Sequence, residues 1–406
     1  MTCREPTILA HVPFPTPMVE AEIPEGSAVK LGRVEGDLRA RDHVLIQASS
    51  GSGVIVTGSA EFEGNIEVDC DLECSSLEST DGIVRVNGSL LVRGDIDVED
   101  GLYTKGNLKA QQIDVGGRLS VGISLEAINA DIGGSLEVQG NAEADTVDVG
   151  GSLVVLGESK LSDLDVGGRV ELGGGEVTGT ADVGGTLSSR KALKFGRIDA
   201  GGILDLTGGE GEAIEVGGRL RSKGDLRCQT VEVGGLVEIE GRLIGRRVEV
   251  GGRLAVTGDL DLSGRLEVGG IVEVGGALSA ADMEVGGNLR ATKALVSGGA
   301  EVGGRVETIQ GLKANRVELG KGATSTGPIV GGTVHLERAS RVQDVYCSEL
   351  FAERGARLGR VYAESAHFED DCVVESVVYT RELEDGDRVR HQTPPQRTDS
   401  LPPFPL

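Results

Sequence analysis

Aromatic residues are scarce in this sequence. It contains no tryptophan, and only four tyrosines and six phenylalanines occur among its 406 residues. Large globular cores obtain much of their buried area from aromatic side chains. Glycine is abundant instead, with 65 residues. We therefore expect a narrow interior filled by Val, Leu, Ile and Ala, rather than the two or three ordinary domains that this length suggests.

Basic charge, long apolar runs and a regular cysteine pattern are also missing. The net charge of -25 repels phosphates and excludes the basic surface of a nucleic-acid-binding protein. No stretch reaches the ~18 apolar residues of a membrane span, and the N-terminus lacks the apolar segment of a secretory signal. The six cysteines are irregularly spaced, which argues against a disulfide framework and favours a reducing, cytoplasmic location.

Proline is nearly absent from the middle of the chain. Five of the eleven prolines precede residue 25, five follow residue 393, and only Pro328 lies between. Proline cannot donate a hydrogen bond to a strand ladder, so this distribution predicts one continuous hydrogen-bonded body at 26–383. It predicts a flexible tail at 1–25 and a disordered tail at 384–406.

Glycine pairs recur at a fixed period within this body. A small residue precedes each pair, and successive pairs are 16 to 18 residues apart, most often 17. Such a period indicates a repeat architecture. The residues before the pairs are Val115, Ile132, Val149, Val166, Val183, Ala200, Val216, Val233, Val250, Val268, Val285 and Val302.

Apolar residues inside each repeat come in three alternating pairs. Each pair has the two-residue period of a short, half-buried strand, and the helical spacing of three and four is absent. Three strands and three corners predict an all-β fold, a single-stranded parallel β-helix with triangular coils of about 17 residues. Each coil buries little apolar surface alone, so neighbouring coils complete its core. In the repeat that starts at Val250 the inward positions are Leu254, Val256, Leu260, Leu262, Leu266 and Val268.

The glycine pairs fit a corner better than a ligand loop. Glycine adopts a positive φ without steric cost and lets neighbouring backbone pass closely. A phosphate-binding loop would place glycine before a helix, and no helix pattern follows these pairs. The pairs are therefore interpreted as corners that stack in a column.

No catalytic, cofactor-binding or metal-binding constellation is predicted. Cys70 and Cys74 lie four residues apart without a second pair at zinc spacing. His367 beside the acidic run 369–371 offers at most a weak cation site, which is not predicted here. Outward carboxylates at one repeat spacing, such as Glu232, predict like-charge ladders, and an Arg column beside them is expected to offset the repulsion. These Arg residues each follow a glycine pair, namely Arg118, Arg169, Arg219, Arg253 and Arg305.

The Gly-framed short strands, the low aromatic content and the Pro-rich tails resemble the bactofilins, the polymer-forming cytoskeletal proteins. The stretch 330–380 is the most similar part. The resemblance implies a right-handed β-helix with disordered tails that polymerises end to end without nucleotide. It also implies that the N-terminal tail attaches to a membrane, although this chain's tail lacks a strong lipid-binding segment. The repeat block is much longer than a typical bactofilin domain.

These observations predict a non-enzymatic cytoskeletal scaffold that self-assembles into filaments through its terminal coils. Its expected partners are further copies of itself and other bactofilin-like subunits, and a cofactor is not expected. A charged residue at Val377 is predicted to abolish filaments while leaving the fold intact. The residues predicted to form the assembling ends are Val29, Leu31 and Val34 at one end and Val373, Val374, Val377 and Val378 at the other.

Two other functions stay open at this point. A hexapeptide-type acyltransferase would also be a β-helix, but it needs strict six-residue units and a suitably placed His, whereas the spacing here is six, six and five. A carbohydrate- or partner-binding β-helix, such as an adhesin, is the main alternative. The absence of a signal peptide and of exposed aromatic platforms argues against the adhesin.

Overall fold

The computed structural model describes residues 18–403, which fall into two compact units that divide between Gly201 and Gly202. No helix occurs among these residues. The strands of unit 1 are β1 (Met18–Ile23), β2 (Ala28–Leu31), β3 (Arg33–Ala40), β4 (Val44–Ala48), β5 (Gly53–Val56), β6 (Ser59–Phe62), β7 (Ile66–Val68), β8 (Asp71–Cys74), β9 (Ser76–Ser79), β10 (Ile83–Val86), β11 (Leu90–Val92), β12 (Asp95–Val98), β13 (Gly101–Thr104), β14 (Leu108–Lys109), β15 (Gln112–Val115), β16 (Arg118–Val121), β17 (Leu125–Glu126), β18 (Asn129–Ile132), β19 (Ser135–Val138), β20 (Ala142–Val149), β21 (Ser152–Val155), β22 (Ser159–Val166), β23 (Arg169–Leu172), β24 (Gly175–Val183), β25 (Thr186–Ser189) and β26 (Leu193–Ala200).

Unit 2 is built in the same way, and several of its strands are longer because they run around corners without a break. Its strands are β27 (Ile203–Leu206), β28 (Gly209–Val216), β29 (Arg219–Ser222), β30 (Leu226–Val233), β31 (Leu236–Ile239), β32 (Leu243–Val250), β33 (Arg253–Val256), β34 (Leu260–Leu262), β35 (Arg265–Val268), β36 (Ile271–Val274), β37 (Ala277–Ala280), β38 (Asp282–Val285), β39 (Asn288–Val296), β40 (Gly299–Val302), β41 (Arg305–Leu319), β42 (Thr324–Ser325), β43 (Ile329–Leu336), β44 (Arg341–Ala352), β45 (Arg357–Phe368), β46 (Val373–Asp385), β47 (Arg390–His391) and β48 (Gln396–Arg397).

Each turn of the chain contributes one strand to each of three parallel ladders, which form three faces. In unit 1, β16 pairs with β13 and β19 on face 1, the face that follows the glycine pair. On face 2, β17 pairs with β14 and β20. On face 3, which precedes the glycine pair, β18 pairs with β15 and with the second half of β20.

The same three faces recur in unit 2, where β33, β34 and β35 each pair with the equivalent strands one turn before and one turn after. Within each unit the strands stack as a β-solenoid with successive turns about 17 residues apart, and the two units together comprise about 22 turns. The predicted fold class of stacked parallel coils is therefore confirmed. Its right-handedness stays a prediction that rests on the resemblance.

The core consists of the positions that the alternation predicted. In the repeat after Val250, all six predicted inward side chains are buried, from Leu254 to Val268. Ser222 and Cys228 are buried at equivalent positions of an earlier repeat, where most turns carry an aliphatic residue. Aliphatic side chains from successive turns thus stack in columns, and the buried aromatic residues of the described chain are Phe62, Phe195 and Phe368.

The glycine pairs lie at corners, but only part of their predicted role is correct. Gly150 and Gly251 do not have a positive φ, so left-handed geometry is not the reason for glycine at either position. A Cβ atom on Gly150 would lie 2.3 Å from the carbonyl oxygen of Gly133, and one on Gly251 would lie 2.3 Å from that of Gly234. Close approach of the preceding turn therefore requires glycine here.

Asp and Asn side chains fasten other corners to the following turn. The Asp225 carboxylate accepts a hydrogen bond from the Arg242 backbone N–H at 2.9 Å, and this bond lowers the pKa of Asp225. Asp259 accepts in the same way from the N–H of Ala277, at 2.8 Å. These bonds satisfy backbone donors at corners, where the ladders are interrupted.

The strands extend beyond the predicted boundaries of the repeat block. β1 begins at Met18, within the segment predicted to be a tail, whereas residues 1–17 lie outside the described part of the chain. At the other end β46 continues to Asp385, and β47 and β48 pair with it. Ladder pairing thus continues past residue 383, into the segment predicted to be disordered.

Candidate functional site

The first turn of unit 1 presents a strand with one free edge. β2 pairs in parallel with β4, with Ala28 opposite Leu45 and Leu31 opposite Ala48. No other strand of the described residues pairs with β2. Its outer edge therefore offers backbone N–H and C=O groups that are ready for pairing.

The side chains at this end are partly apolar and partly exposed. Val29 and Leu31 of β2 are half-buried, whereas Val34 of β3 is buried. Exposed Lys30 lies between the two apolar residues. Two of the three residues predicted for this end thus lie on a strand whose outer edge no described strand covers, and Val34 lies in the core.

The last turn of unit 2 has a different arrangement, because the chain covers its own end. β47 pairs with the start of β46, which places Arg390 opposite Val373 and His391 opposite Val374. β48 pairs further along, with Gln396 opposite Val378. On faces 1 and 2, the outer edge of β46 is therefore already paired, with β47 and with β48.

His391 closes the apolar interior at this end. Its side chain is only 12% exposed and stands at a position where the preceding turns carry Val374 and Leu358. The ring packs edge-on against Phe368, with centroids 5.9 Å apart, and its Nε2 lies 3.0 Å from an Asp385 carboxylate oxygen. A polar ring with a carboxylate partner thus occupies the final inward position.

The C-terminal residues predicted for assembly do not form an exposed apolar surface. Val374 and Val377 are 0% and 1% exposed, beneath the last turn, and Val373 and Val378 are half-buried. On face 3 the second half of β46 is not paired beyond β45 by any described strand. That edge carries the exposed acids Glu382, Glu384 and Asp385, and charge of this kind opposes edge-to-edge pairing.

Face 3 of unit 1 carries a ladder of aspartates that the sequence interpretation missed. Seven successive turns place Asp at one outward position, and the register aligns each with the next at the ~4.8 Å spacing of strands. The recurring Asp-Val-Gly-Gly and Asp-Ile-Gly-Gly tetrapeptides were the signal that could have revealed it. The ladder consists of Asp97, Asp114, Asp131, Asp148, Asp165, Asp182 and Asp199.

The aspartate ladder is electrostatically uncompensated over most of its length. Within the described residues of unit 1, Asp199 has Arg197 at 3.8 Å, and no Lys or Arg lies within 4 Å of the carboxylates from Asp97 to Asp182. Partial burial, followed by the charge of Asp131, raises the pKa of Asp114 and of Asp148. Neighbouring turns thus repel each other on this face.

The equivalent ladder of unit 2 consists of glutamates, several of which have arginine partners. Glu232, Glu249 and Glu267 face one another on successive turns, as predicted. Their arginine partners differ from the prediction. Arg247 contacts Glu249 at 2.7 Å and Arg265 contacts Glu267 at 3.1 Å, and both arginines lie on face 3. Among the arginines that follow glycine pairs, Arg118, Arg253 and Arg305 contact other glutamates instead, such as Glu273, the partner of Arg253.

The remaining sequence candidates do not come together as sites. Cys74 is buried, and burial raises the pKa of its thiol to about 12, whereas Cys70 is only half-buried. The Nδ1 of His367 contacts the carboxylate of Glu384, at 2.8 Å, and does not pair with the acidic run 369–371. Within that run, Asp371 contacts Arg354 and Arg388.

An open groove of about 760 Å³ follows the corner between faces 2 and 3 of unit 2. Small residues such as Ser297 and Gly332 keep the corner narrow, and Leu295 and Val330 add apolar surface. Further along face 2, Tyr346 and Tyr362 stack with their ring centroids 4.8 Å apart and their planes inclined by 9°.

Comparisons with known proteins found no matching family model, no matching curated protein and no matching solved structure. In residues 18–403, the structure also has no helix that is long and apolar enough to cross a membrane. The geometry of the terminal turns and faces is therefore the basis for any functional conclusion.

Proposed function

We propose that this protein is a non-enzymatic structural scaffold that self-assembles end to end through the first turn of unit 1. The observation that carries the proposal is the outer edge of β2, which no strand of residues 18–403 pairs with, beside half-buried Val29 and Leu31. A second copy that pairs with this edge would bury the open cross-section and extend the ladder. The resemblance to bactofilins supports the same function.

The two ends of the described chain differ in how they favour association. The last turn of unit 2 covers Val374 and Val377 and leaves an acidic edge, so we assign the first assembly contact to β2 and not to the C-terminal residues. Because the net charge of -25 makes copies repel one another at low salt, assembly should strengthen as salt rises.

The backbone geometry of β2 permits a sharp test. The Leu45 N–H donates to the Ser27 carbonyl at 2.9 Å, and the Ser49 N–H donates to the Leu31 carbonyl at 2.6 Å. Alternate residues of a parallel strand bond to the same neighbour, so the N–H of Lys30 points to the open edge. A Lys30→Pro substitution removes that donor without removing a bond to β4.

Sedimentation velocity and electron microscopy of Lys30→Pro and its matched control, Lys30→Ala, test the proposal. Lys30→Ala keeps the backbone donor and should assemble like the unmodified protein, whereas Lys30→Pro should stay unassembled with an unchanged circular dichroism spectrum. Equal assembly of the two variants would show that β2 is not the contact.

The groove of unit 2 favours a second candidate, a binding module for an extended carbohydrate. Its lining includes hydroxyl and amide side chains, such as Ser263, Ser297 and Asn315, beside apolar residues such as Leu295. Ser297→Trp should fill the groove from its exposed rim. If binding to soluble polysaccharides disappears in this variant while assembly is unchanged, the groove has a function of its own; absence of binding by the unmodified protein removes this candidate.

A further inference from the structure

The first two turns of unit 1 bring a glutamate, an aspartate and a histidine together at one corner. Glu25 lies in the connection from β1 to β2, and Asp42 and His43 lie in the connection from β3 to β4. One ligand atom from each side chain lies within 4.8 Å of the others. The sequence predicted no metal ligand, because these residues are not contiguous.

Ladder register explains why they meet. Ala28 pairs with Leu45, and the same register continued backwards places Glu25 over Asp42 and Gly26 over His43. The Gly26 N–H donates to the Asp42 carbonyl at 3.0 Å, which fixes the two connections against each other. Gly26 and His43 share a left-handed backbone, with φ of 72° and 61°.

The carboxylate of Asp42 is oriented by the turn that follows. Its Oδ1 accepts hydrogen bonds from the backbone N–H of Asn65 at 2.7 Å and from the Asn65 amide at 3.2 Å. Its Oδ2 lies 2.6 Å from the Nδ1 of His43. Asn65 therefore holds Oδ1 of Asp42 and leaves Oδ2 directed at His43.

Two carboxylates meet here without a basic side chain between them. Among the ion pairs of the described residues, Asp42 has only His43 as a partner and Glu25 has none. A divalent cation would neutralise both acids and use the imidazole as a third ligand. The mixed nitrogen and oxygen donors suit Zn²⁺ or Co²⁺, whereas Ca²⁺ and Mg²⁺ prefer oxygen donors alone.

We propose that Glu25, Asp42 and His43 form a divalent transition-metal site that joins the first turn of unit 1 to the second. Water completes the coordination, because the imidazole is exposed. The metal ties the connection that precedes β2 to the body of the solenoid. The site is independent of the proposed assembly, since its ligands come from one chain.

Zn²⁺ titration by calorimetry and Co²⁺ absorption spectroscopy of the full chain test the site. The key variant is His43→Asn, because Asn tolerates the left-handed backbone that His43 adopts. His335→Asn is the matched control, because His335 is a partly exposed histidine of unit 2 that lies 3.4 Å from Glu353. Glu25→Gln removes a second ligand charge without changing the size of the side chain.

The unmodified chain should bind one Zn²⁺ and give Co²⁺ absorption bands. His43→Asn and Glu25→Gln should each weaken binding by about tenfold or more, the loss typical of disturbing a metal's ligand environment. His335→Asn should bind as the unmodified chain does. The proposal is overturned if the unmodified chain binds no Zn²⁺, if His43→Asn binds equally well, or if the control loses as much affinity.

Discussion

His391 lies directly over Val374, since the two residues are ladder partners in the last turn of unit 2. Because the last turn covers Val374, the inward apolar residues of β46 are not exposed at an open end of the solenoid. Val377 is 1% exposed and belongs to the core rather than to an exposed end.

A charge at Val377 should therefore disrupt the fold locally. We expect Val377→Asp to destabilise the last turns by at least about 3 kcal/mol, because a carboxylate is buried without a partner. Hydrogen exchange of β45 and β46 measures the effect. Val378→Asp is the matched control, since Val378 is the half-buried neighbour on the outward side. Unchanged protection in Val377→Asp would show that the side chain is not enclosed.

The aspartate ladder predicts that removal of one charge stabilises unit 1. Asp131 lies between Asp114 and Asp148, so Asp131→Asn should raise the free energy of unfolding at neutral pH by about 0.5 kcal/mol. Asp95→Asn, in which the ladder partner is the neutral Gln112, should have a smaller effect. Thermal unfolding of both variants should show a larger gain in stability for Asp131→Asn than for Asp95→Asn. Destabilisation by Asp131→Asn would contradict repulsion along the ladder.

The same ladder predicts a pH dependence with a definite sign. The pKa values of Asp114 and Asp148 are raised in the folded state, above the ordinary value of 3.8. Their protonated forms are therefore favoured by folding, and this contribution is present below pH 3.8 and lost as pH rises through the folded values. NMR titration should show both pKa values falling towards 3.8 in Asp131→Asn; unchanged values would exclude coupling along the ladder.

Two glycines of unit 2 should respond in opposite ways to alanine. Gly251→Ala places a Cβ 2.3 Å from the Gly234 carbonyl oxygen, so the turns must separate and the unfolding temperature should fall strongly. Gly299→Ala meets nothing closer than 3.8 Å and needs no left-handed backbone. Its stability should change by less than about 1 kcal/mol. Equal losses in calorimetry would remove close packing as the reason for the glycine pairs.

Three buried cysteines should resist alkylation. Burial raises the pKa of Cys74, Cys228 and Cys347 to about 12, so little thiolate forms at pH 8 and access is blocked. Half-buried Cys70 should react faster. Peptide mapping after iodoacetamide treatment gives the rate at each position, and urea should abolish the difference. Rapid labelling of Cys228 in the folded chain would contradict the described core.

The repetitive parts of the fold were predictable because their information is local. Alternation within each repeat fixes which side chains point inward, and Leu254 and Val268 are buried as the pattern predicted. The ends were not predictable in the same way. The segment that covers Val374 contains Pro394 and Pro395 and many charged residues, which resemble a disordered tail, and its pairing depends on only a few residues around His391.

Candidate sites that lie between turns were also hidden from the sequence. The meeting of Glu25 with Asp42 and His43 depends on the ladder register of β2 and β4, and no glycine pair marks that turn in the sequence. By contrast, the aspartate ladder could have been found, because its period equals that of the glycine pairs.

Negative-stain electron microscopy of the full chain over a series of salt concentrations shows directly whether the protein self-assembles. Screening of the -25 charge should allow β2 to pair at the edge that no described strand covers, so we expect particles joined at one end, in a proportion that rises with salt and with protein concentration. Single particles of constant length at every salt and protein concentration would contradict self-assembly.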